Sequence, residues 1–170
     1  GFEIDVIKYI RHFGIKANYT YTYSKITTSK REYKEGSAEY KSGVTQSRPL
    51  VNQAPHTANI SLLYKDTENG WNAQLASSFT GAKLALVSPF KDADQWDKAM
   101  FGIDLSAEKQ FKNGFSIFFK ANNILDAKRE RYLKTVNESN LQYADQKSNK
   151  TIIGTYKYGR TFLLGVRYKL

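Results

Sequence analysis

Strict alternation of apolar and polar residues constrains the fold of this chain more than any other sequence feature. The segment 57–65 shows it clearly, with Ala58, Ile60, Leu62 and Tyr64 alternating with Thr57, Asn59, Ser61 and Lys65. The same alternation occurs in six further segments, 2–10, 15–23, 71–80, 101–111, 115–122 and 162–170. Because successive side chains of a strand point to opposite faces, this period indicates strands with one apolar and one polar face. The sequence therefore predicts an all-β fold with about seven strands.

The links between these segments are alternately short and long. Short links lie around residues 11–14, 66–70 and 112–114, and the last two contain Asn-Gly, the preferred pair in tight hairpins. Long links span about 27–55, 86–98 and 126–157, and they contain the prolines Pro49, Pro55 and Pro89. Alternate links of an antiparallel up-and-down sheet lie at opposite ends of it. One end therefore has short turns, and the other has long polar loops.

The unequal ends of the sheet are typical of transmembrane barrels of the bacterial outer membrane, which have short periplasmic turns and long extracellular loops. Aromatic residues of the apolar face gather near the short-turn end, as in a membrane-interface girdle: Tyr64, Trp71, Phe111, Phe115 and Tyr168. A second row lies toward the other end: Tyr21, Tyr23, Phe79, Phe101 and Phe162. The alternative is an antiparallel sandwich in which the apolar face forms an ordinary core.

In a barrel, the polar face points toward a hydrated lumen. Its charged residues are Asp104, Glu108, Lys120 and Arg167. Glu108 and Lys120 lie within diagonal reach on neighbouring strands, and a neutralising ion pair is favoured over a substrate contact. The long links carry four aromatic residues that either contact a ligand or pack the loops together: Tyr33, Tyr40, Phe90 and Trp96.

Composition and motifs exclude several function classes. The chain has no cysteine, which excludes a disulfide scaffold and cysteine-ligated zinc. Its formal net charge of +10 is spread out and interleaved with acidic residues, which argues against nucleic acid as a partner. Neither His12 nor His56 has a catalytic motif around it, and Asp104 and Glu108 would be about 13 Å apart along one strand. We therefore expect no enzymatic activity and no cofactor or metal.

The number of strands bears on whether the chain is complete. Outer-membrane barrels of one chain have an even strand number, so seven strands predict that further strands precede Gly1. The link 126–157 leaves alternatives open, because Lys150–Lys157 could form an eighth strand with Lys128–Lys134 paired to it above the membrane. A short helix that includes Leu125, Tyr132, Leu133 and Val136 is the other interpretation. A complete eight-stranded barrel serving as an anchor or adhesin is the alternative function.

Several short segments resemble the late barrel strands of TonB-dependent outer-membrane receptors. The similar segments are Gly1-Phe2-Glu3-Ile4, Ala17-Asn18-Tyr19-Thr20-Tyr21-Thr22, Asn52-Gln53-Ala54-Pro55-His56, Ala121-Asn122-Asn123-Ile124-Leu125-Asp126 and the ending from Gly159. They follow the family's order over the whole chain. One departure is Leu170, since the family usually ends in Phe. The last strand resembles the signal that the outer-membrane assembly machinery reads, with Phe162, Leu164, Val166, Tyr168 and Leu170.

The resemblance implies an importer of a scarce nutrient in the bacterial outer membrane, energised by TonB. Residues 1–170 would then be the last third of a 22-stranded barrel, with a plug domain and the TonB-binding segment upstream. The implied partners are outer-membrane lipid, the rest of the barrel with its plug, and TonB. A surface lipoprotein over the outer loops stays open as a further partner, and the substrate is not indicated.

Overall fold

The computed structural model describes residues 1–33, 39–133 and 151–169, and this part of the chain forms strands and no helix. The strands are β1 (Phe2–Ile10), β2 (Phe13–Tyr21), β3 (Ile26–Tyr33), β4 (Tyr40–Arg48), β5 (His56–Asp66), β6 (Trp71–Thr80), β7 (Lys83–Leu86), β8 (Gln95–Asp97), β9 (Met100–Gln110), β10 (Phe115–Asn122), β11 (Lys128–Leu133), β12 (Ile152–Lys157) and β13 (Thr161–Tyr168). No helix among these residues has the length and apolar character needed to cross a membrane. The all-β prediction is confirmed.

Seven long strands form one antiparallel sheet, which we call the wall. Its order is β1-β2-β5-β6-β9-β10-β13, so each strand pairs with the next wall strand along the chain. These are the seven segments with strict alternation, and their predicted bounds differ from the observed ones by about two residues at most. The agreement follows from the period of two, because a shift by one residue would exchange the apolar and polar faces.

The short links of the wall are tight turns that need a positive φ. Gly70 and Gly114 have φ of 69° and 86°, and the glycine of each Asn-Gly pair is the residue that tolerates this conformation. The first turn places Arg11 at φ 54° without a glycine. The carboxylate of Asp66 accepts a hydrogen bond from the amide of Asn69, at 3.0 Å, and closes the middle turn.

The wall is a single layer, and neither of its faces is covered by another sheet within the described residues. Leu62 and Leu164 on the apolar face are 53% and 72% exposed. The buried apolar residues of the described chain are Ala54, Leu84 and Ala121. The accessible surface is 11894 Å², whereas a compact monomer of this mass exposes about 8,500 Å². No second sheet packs on the apolar face within the described residues, so the sandwich alternative is not what this part of the chain forms.

The wall does not close on itself in the described residues. β1 pairs only with β2, and β13 pairs only with β10, so one edge of each strand is open. The described residues after β10 and before β13 do not add an eighth strand to the wall. Instead β11 pairs antiparallel with β12, as the strand interpretation predicted, and the helix interpretation is wrong for residues 128–133. Val136 and Lys134 lie outside the described residues.

The long links fold into two smaller sheets at one end of the wall. β12, β11, β8 and β7 form a four-stranded sheet, and β3 pairs with β4 in a hairpin. A parallel bridge between Arg31 and Phe90 connects the hairpin to the link between β7 and β8. We call these elements together the link layer. The sequence did not predict its strands β3, β4, β7 and β8.

Candidate functional site

The polar face of the wall carries an ion pair that differs from the predicted one. Arg167 Nη1 lies 3.4 Å from Glu108 Oε1, and the Arg167 guanidinium lies 5.6 Å from the centre of the Phe118 ring. Lys120 is opposite Ser106 and has no ion pair within the described residues. The expected Glu108–Lys120 pair is therefore wrong. A planar guanidinium can stack on a ring and still reach a carboxylate, which an ammonium cannot do in the same way.

Two aromatic rings lie over glycines on this polar face, and the sequence analysis missed both. Phe118 is the register partner of Gly165, and Tyr9 is the register partner of Gly14. A Cβ atom added to Gly165 would lie 2.3 Å from the Phe118 ring, and one added to Gly14 would lie 2.5 Å from the Tyr9 ring. Each glycine therefore provides the space in which a ring lies flat against the sheet. These ring–glycine contacts could be predicted only from the direct pairing of the two residues across strands, which requires that the strand register is known.

Asp104 lies at the long-link end of the polar face, where it holds the turn that follows β10. Its carboxylate accepts a hydrogen bond from the Asn123 amide at 2.8 Å. The Asn123 side chain donates to the carbonyl of Gly159 and accepts from the amide of Ala127, both at 2.8 Å. Asn123 has φ of 52°, which Asn tolerates better than most residues. The motif at 121–126 is thus a hydrogen-bonded junction between the wall and the link layer.

The aromatic row near the short-turn end lies on the apolar face, as predicted. The Phe115 and Tyr168 rings have centroids 4.6 Å apart, and Tyr64 lies 5.1 Å from Phe13, which the sequence analysis did not include. Phe111 follows the end of β9, and its amide donates to the Phe115 carbonyl at 2.7 Å. Two pairs of rings therefore contact each other across neighbouring strands, and we call this row the aromatic rim.

The second aromatic row lies toward the long-link end. Phe79 is the register partner of Phe101, and the ring centroids of Phe119 and Phe162 are 6.4 Å apart. His56 accepts or donates a hydrogen bond with the Tyr19 hydroxyl at 2.7 Å, so this histidine belongs to the row. Tyr23 lies beyond the end of β2, so its assignment to the predicted row is wrong. The alternation ends at Tyr21, because the chain leaves the wall there.

The predicted assembly-signal residues form the apolar side of the open edge strand. Phe162, Leu164, Val166 and Tyr168 alternate along β13, and all four are exposed. Leu170 lies outside the described residues. An apolar strand with one free edge is the feature that a partner strand would pair with.

The link layer is held together by charged side chains that lie far apart in sequence. Lys30 Nζ lies 2.6 Å from Asp94 Oδ1, and both side chains are buried. The Lys91 ammonium lies 2.6 Å from Glu32, and its hydrogen bond to that carboxylate raises the lysine pKa. These pairs join the hairpin to the link between β7 and β8.

A second charged cluster joins β8 to β11. Arg129 Nε and Arg131 Nε donate to opposite oxygens of the buried Asp97 carboxylate at 2.9 Å and 3.0 Å. Burial acts to raise the pKa of Asp97, but the hydrogen bonds and positive charge of the two arginines outweigh it, so the pKa lies below its ordinary value. Asp97 therefore stays ionised and fixes the position of β11.

Two of the four aromatic residues predicted in the long links, Tyr40 and Phe90, pack against each other in the structure. The Tyr40 and Phe90 rings meet edge to face with centroids 6.4 Å apart, and the Arg31 guanidinium lies 4.9 Å from the Tyr40 ring centre. Trp96 lies in the middle of β8, beside a polar cleft of about 150 Å³ that Gln46, Arg48 and Asp92 also line. Tyr33 ends β3, and its side chain lies outside the description. Packing is thus observed for Tyr40 and Phe90, and Trp96 borders the cleft.

Comparisons with protein-family models, with curated proteins and with solved structures found no significant match to this chain.

Proposed function

We propose that this chain is the C-terminal barrel segment of a TonB-dependent nutrient importer of the bacterial outer membrane. The observation that carries the proposal is the apolar face of the wall, which no other element covers in the described residues. Large apolar side chains are exposed on this face of the wall, for example Ile60 and Leu62 on β5 and Leu75 on β6. An exposed apolar surface of this extent indicates contact with lipid or with another apolar surface.

The two aromatic rows favour lipid over a protein partner. They border the apolar face at both of its ends, with mainly aliphatic residues between them. Tyr and Trp are enriched at both interfaces of a membrane, because their rings are amphipathic. The face opposite is polar, as in barrels with a hydrated interior.

The open edges of the wall support the proposal that the wall is part of a larger barrel. Unpaired backbone groups in hydrocarbon each cost several kcal/mol, so a sheet in a membrane has to close. β1 and β13 would pair with further strands of the same protein. In the full receptor, this segment would contribute wall, lumen lining and outer loops, and a plug domain with the TonB-binding segment would lie elsewhere in the protein.

The placement of the two faces is tested by cysteine labelling at Leu75 and Gln74. These residues are neighbours on β6, where Leu75 belongs to the apolar face and the Gln74 amide donates to Ser61 Oγ on the polar face at 3.2 Å. In the native membrane, we expect a lipid-soluble reagent to label Leu75→Cys and a water-soluble reagent to label Gln74→Cys. Labelling of both positions by the water-soluble reagent would refute the proposal.

The assignment to the receptor family is tested by intact mass and by TonB binding. The mature protein from its native membrane should have a mass several times 19.4 kDa and should co-purify with the periplasmic domain of TonB. A mass near 19.4 kDa without TonB binding would refute the importer and favour the small barrel that acts as an anchor or adhesin.

A further inference from the structure

One lysine interrupts the aromatic rim on the apolar face. Lys109 continues the alternation of β9, and its register partners are Trp71 and Ile117, which both belong to the apolar face. Its ammonium lies 4.9 Å from the centre of the Trp71 ring and 5.8 Å from the centre of the Phe111 ring. The cation is therefore held between two rings, a favourable arrangement for an ammonium.

The charge of Lys109 has no anionic partner in the described residues. Its ammonium donates one hydrogen bond, to the carbonyl of Asn69 in the turn before β6. An ammonium has three donors, so two are left for another acceptor. A cation among apolar side chains is costly without a counter-charge, and none of the ion pairs in the described chain includes Lys109.

A cleft of about 430 Å³ adjoins this ammonium between two of the short turns. Lys112 and Lys109 both line it, and Glu68 is the acidic residue on its rim, so the lining carries a net positive charge. The amides of Gln110 and Phe111 already donate to the carbonyls of Gly70 and Phe115. These two amides are therefore not free to bind an anion, and the two lysines are the cationic groups of the cleft.

We infer that this cleft binds the phosphodiester of an anionic phospholipid, with the acyl chains lying along the apolar face beside Trp71. The inference rests on the proposed membrane placement and adds a specific lipid site to it. Lysine binds phosphate as a point charge, and the aromatic rim of a membrane protein lies at the depth of the headgroups. Lys109 both lines the cleft and contacts the Trp71 ring on the apolar face, so a charged lipid could occupy both places, which a free anion could not.

The site is tested by native mass spectrometry of the mature protein, as the cell produces it, released from nanodiscs of equal phosphatidylglycerol and phosphatidylcholine. We expect phosphatidylglycerol to be retained preferentially. Lys109→Met should lower the ratio of the two retained lipids about fivefold, and removal of Lys112 as well should abolish the preference. Lys109→Arg should keep it. Lys120→Met is the matched control, because Lys120 is also an unpaired lysine but belongs to the polar face, and it should leave the ratio unchanged.

Two results would overturn the assignment. One is the same lipid ratio for the wild type and for Lys109→Met, and the other is binding of inorganic phosphate as tight as that of phosphatidylglycerol. Cysteine labelling at Leu75 separates this failure from failure of the proposed function. If Leu75→Cys is labelled from the lipid phase while the lipid ratio does not respond to Lys109, only the lipid site is refuted.

Discussion

Lys30 and Asp94 form the most deeply buried ion pair of the described chain, with Nζ and Oδ1 2.6 Å apart and 2% and 8% of the side chains exposed. The pair joins β3 to the residues that precede β8, 64 positions along the chain. Asp94 Oδ1 also accepts a hydrogen bond from the amide of Ser88 at 2.8 Å. This buried carboxylate therefore connects the hairpin β3–β4 to the rest of the link layer, together with the Lys91–Glu32 pair and the Arg31–Phe90 bridge.

Lys30→Met should destabilise the link layer, because it leaves the Asp94 carboxylate buried without its cation. Removing one partner of a buried pair costs about 3–5 kcal/mol. The change should appear as faster hydrogen exchange of the β3 and β4 amides, whereas exchange in the wall stays unchanged. The double variant Lys30→Met with Asp94→Leu should recover most of the protection, since it leaves no unpaired charge.

Glu32→Gln is the control for this prediction. It breaks the ion pair that Glu32, on the same strand as Lys30, forms with Lys91. The side chains of Lys91 and Glu32 are 33% and 29% exposed. Solvent screens a pair this exposed, so exchange should change little. Equal effects of Glu32→Gln and Lys30→Met would contradict the role of burial.

The contact between β8 and β11 should weaken in acid through Asp97. The folded-state pKa of Asp97 lies below its unfolded value, which is about 3.9. The stabilisation is therefore fully present above pH of about 4 and is lost as the pH falls from there through the folded pKa. Hydrogen exchange of the β11 amides, corrected for the intrinsic effect of pH, should accelerate only in that range.

Asp97→Asn should remove this pH dependence and raise exchange in β11 about tenfold at neutral pH, because Arg129 and Arg131 lose their shared carboxylate. Glu130→Gln is the matched control on the same strand. It breaks the exposed Lys98–Glu130 pair, whose atoms are 2.9 Å apart, and should have almost no effect. If the acceleration of exchange in acid persists in Asp97→Asn, a titratable group other than Asp97 causes it.

Asn123→Ala should loosen the junction between β10 and the link layer. The change removes the hydrogen bonds of the Asn123 side chain to Gly159 and Ala127 and places alanine at φ of 52°. We expect a loss of about 1–3 kcal/mol in the local stability of the turn, measured by hydrogen exchange of the Ala127 amide. Asn123→Gly keeps the backbone conformation accessible and should lose less. If glycine and alanine behave alike, only the side-chain hydrogen bonds matter there.

The wall could be predicted from the sequence, because its information is local. In 101–111 every second residue except Lys109 is apolar, and this alternation is enough to define the two faces of the strand. The aromatic rim followed from the same pattern together with the positions of the short turns. The role of Lys109 could not be predicted in this way. In the sequence, a lysine in a row of apolar residues only breaks the pattern, and its contacts with two aromatic rings are known from the structure.

Apart from the pairing of β11 with β12, the link layer could not be predicted, because its stability comes from pairs distant in sequence. The segment Ile26–Tyr33 is mostly polar, so its sequence does not indicate a buried strand. Lys30, in the middle of this segment, is buried because it pairs with Asp94, which belongs to another long link. Arg131 likewise has its partner, Asp97, 34 residues away. The Glu108–Lys120 prediction failed for a related reason, since the competing Arg167 comes from a third strand.

Gly165→Ala should disturb the pairing of β10 with β13, because the new Cβ would overlap the Phe118 ring at 2.3 Å. The ring has to move away from the sheet, and it then loses its contact with the Arg167 guanidinium. We expect a loss of about 1–3 kcal/mol, the usual range for overpacking, measured by hydrogen exchange of the β13 amides. Adding Phe118→Ala should cancel most of this loss. A double variant whose effect equals the sum of the two single effects would show that the ring and the glycine act independently.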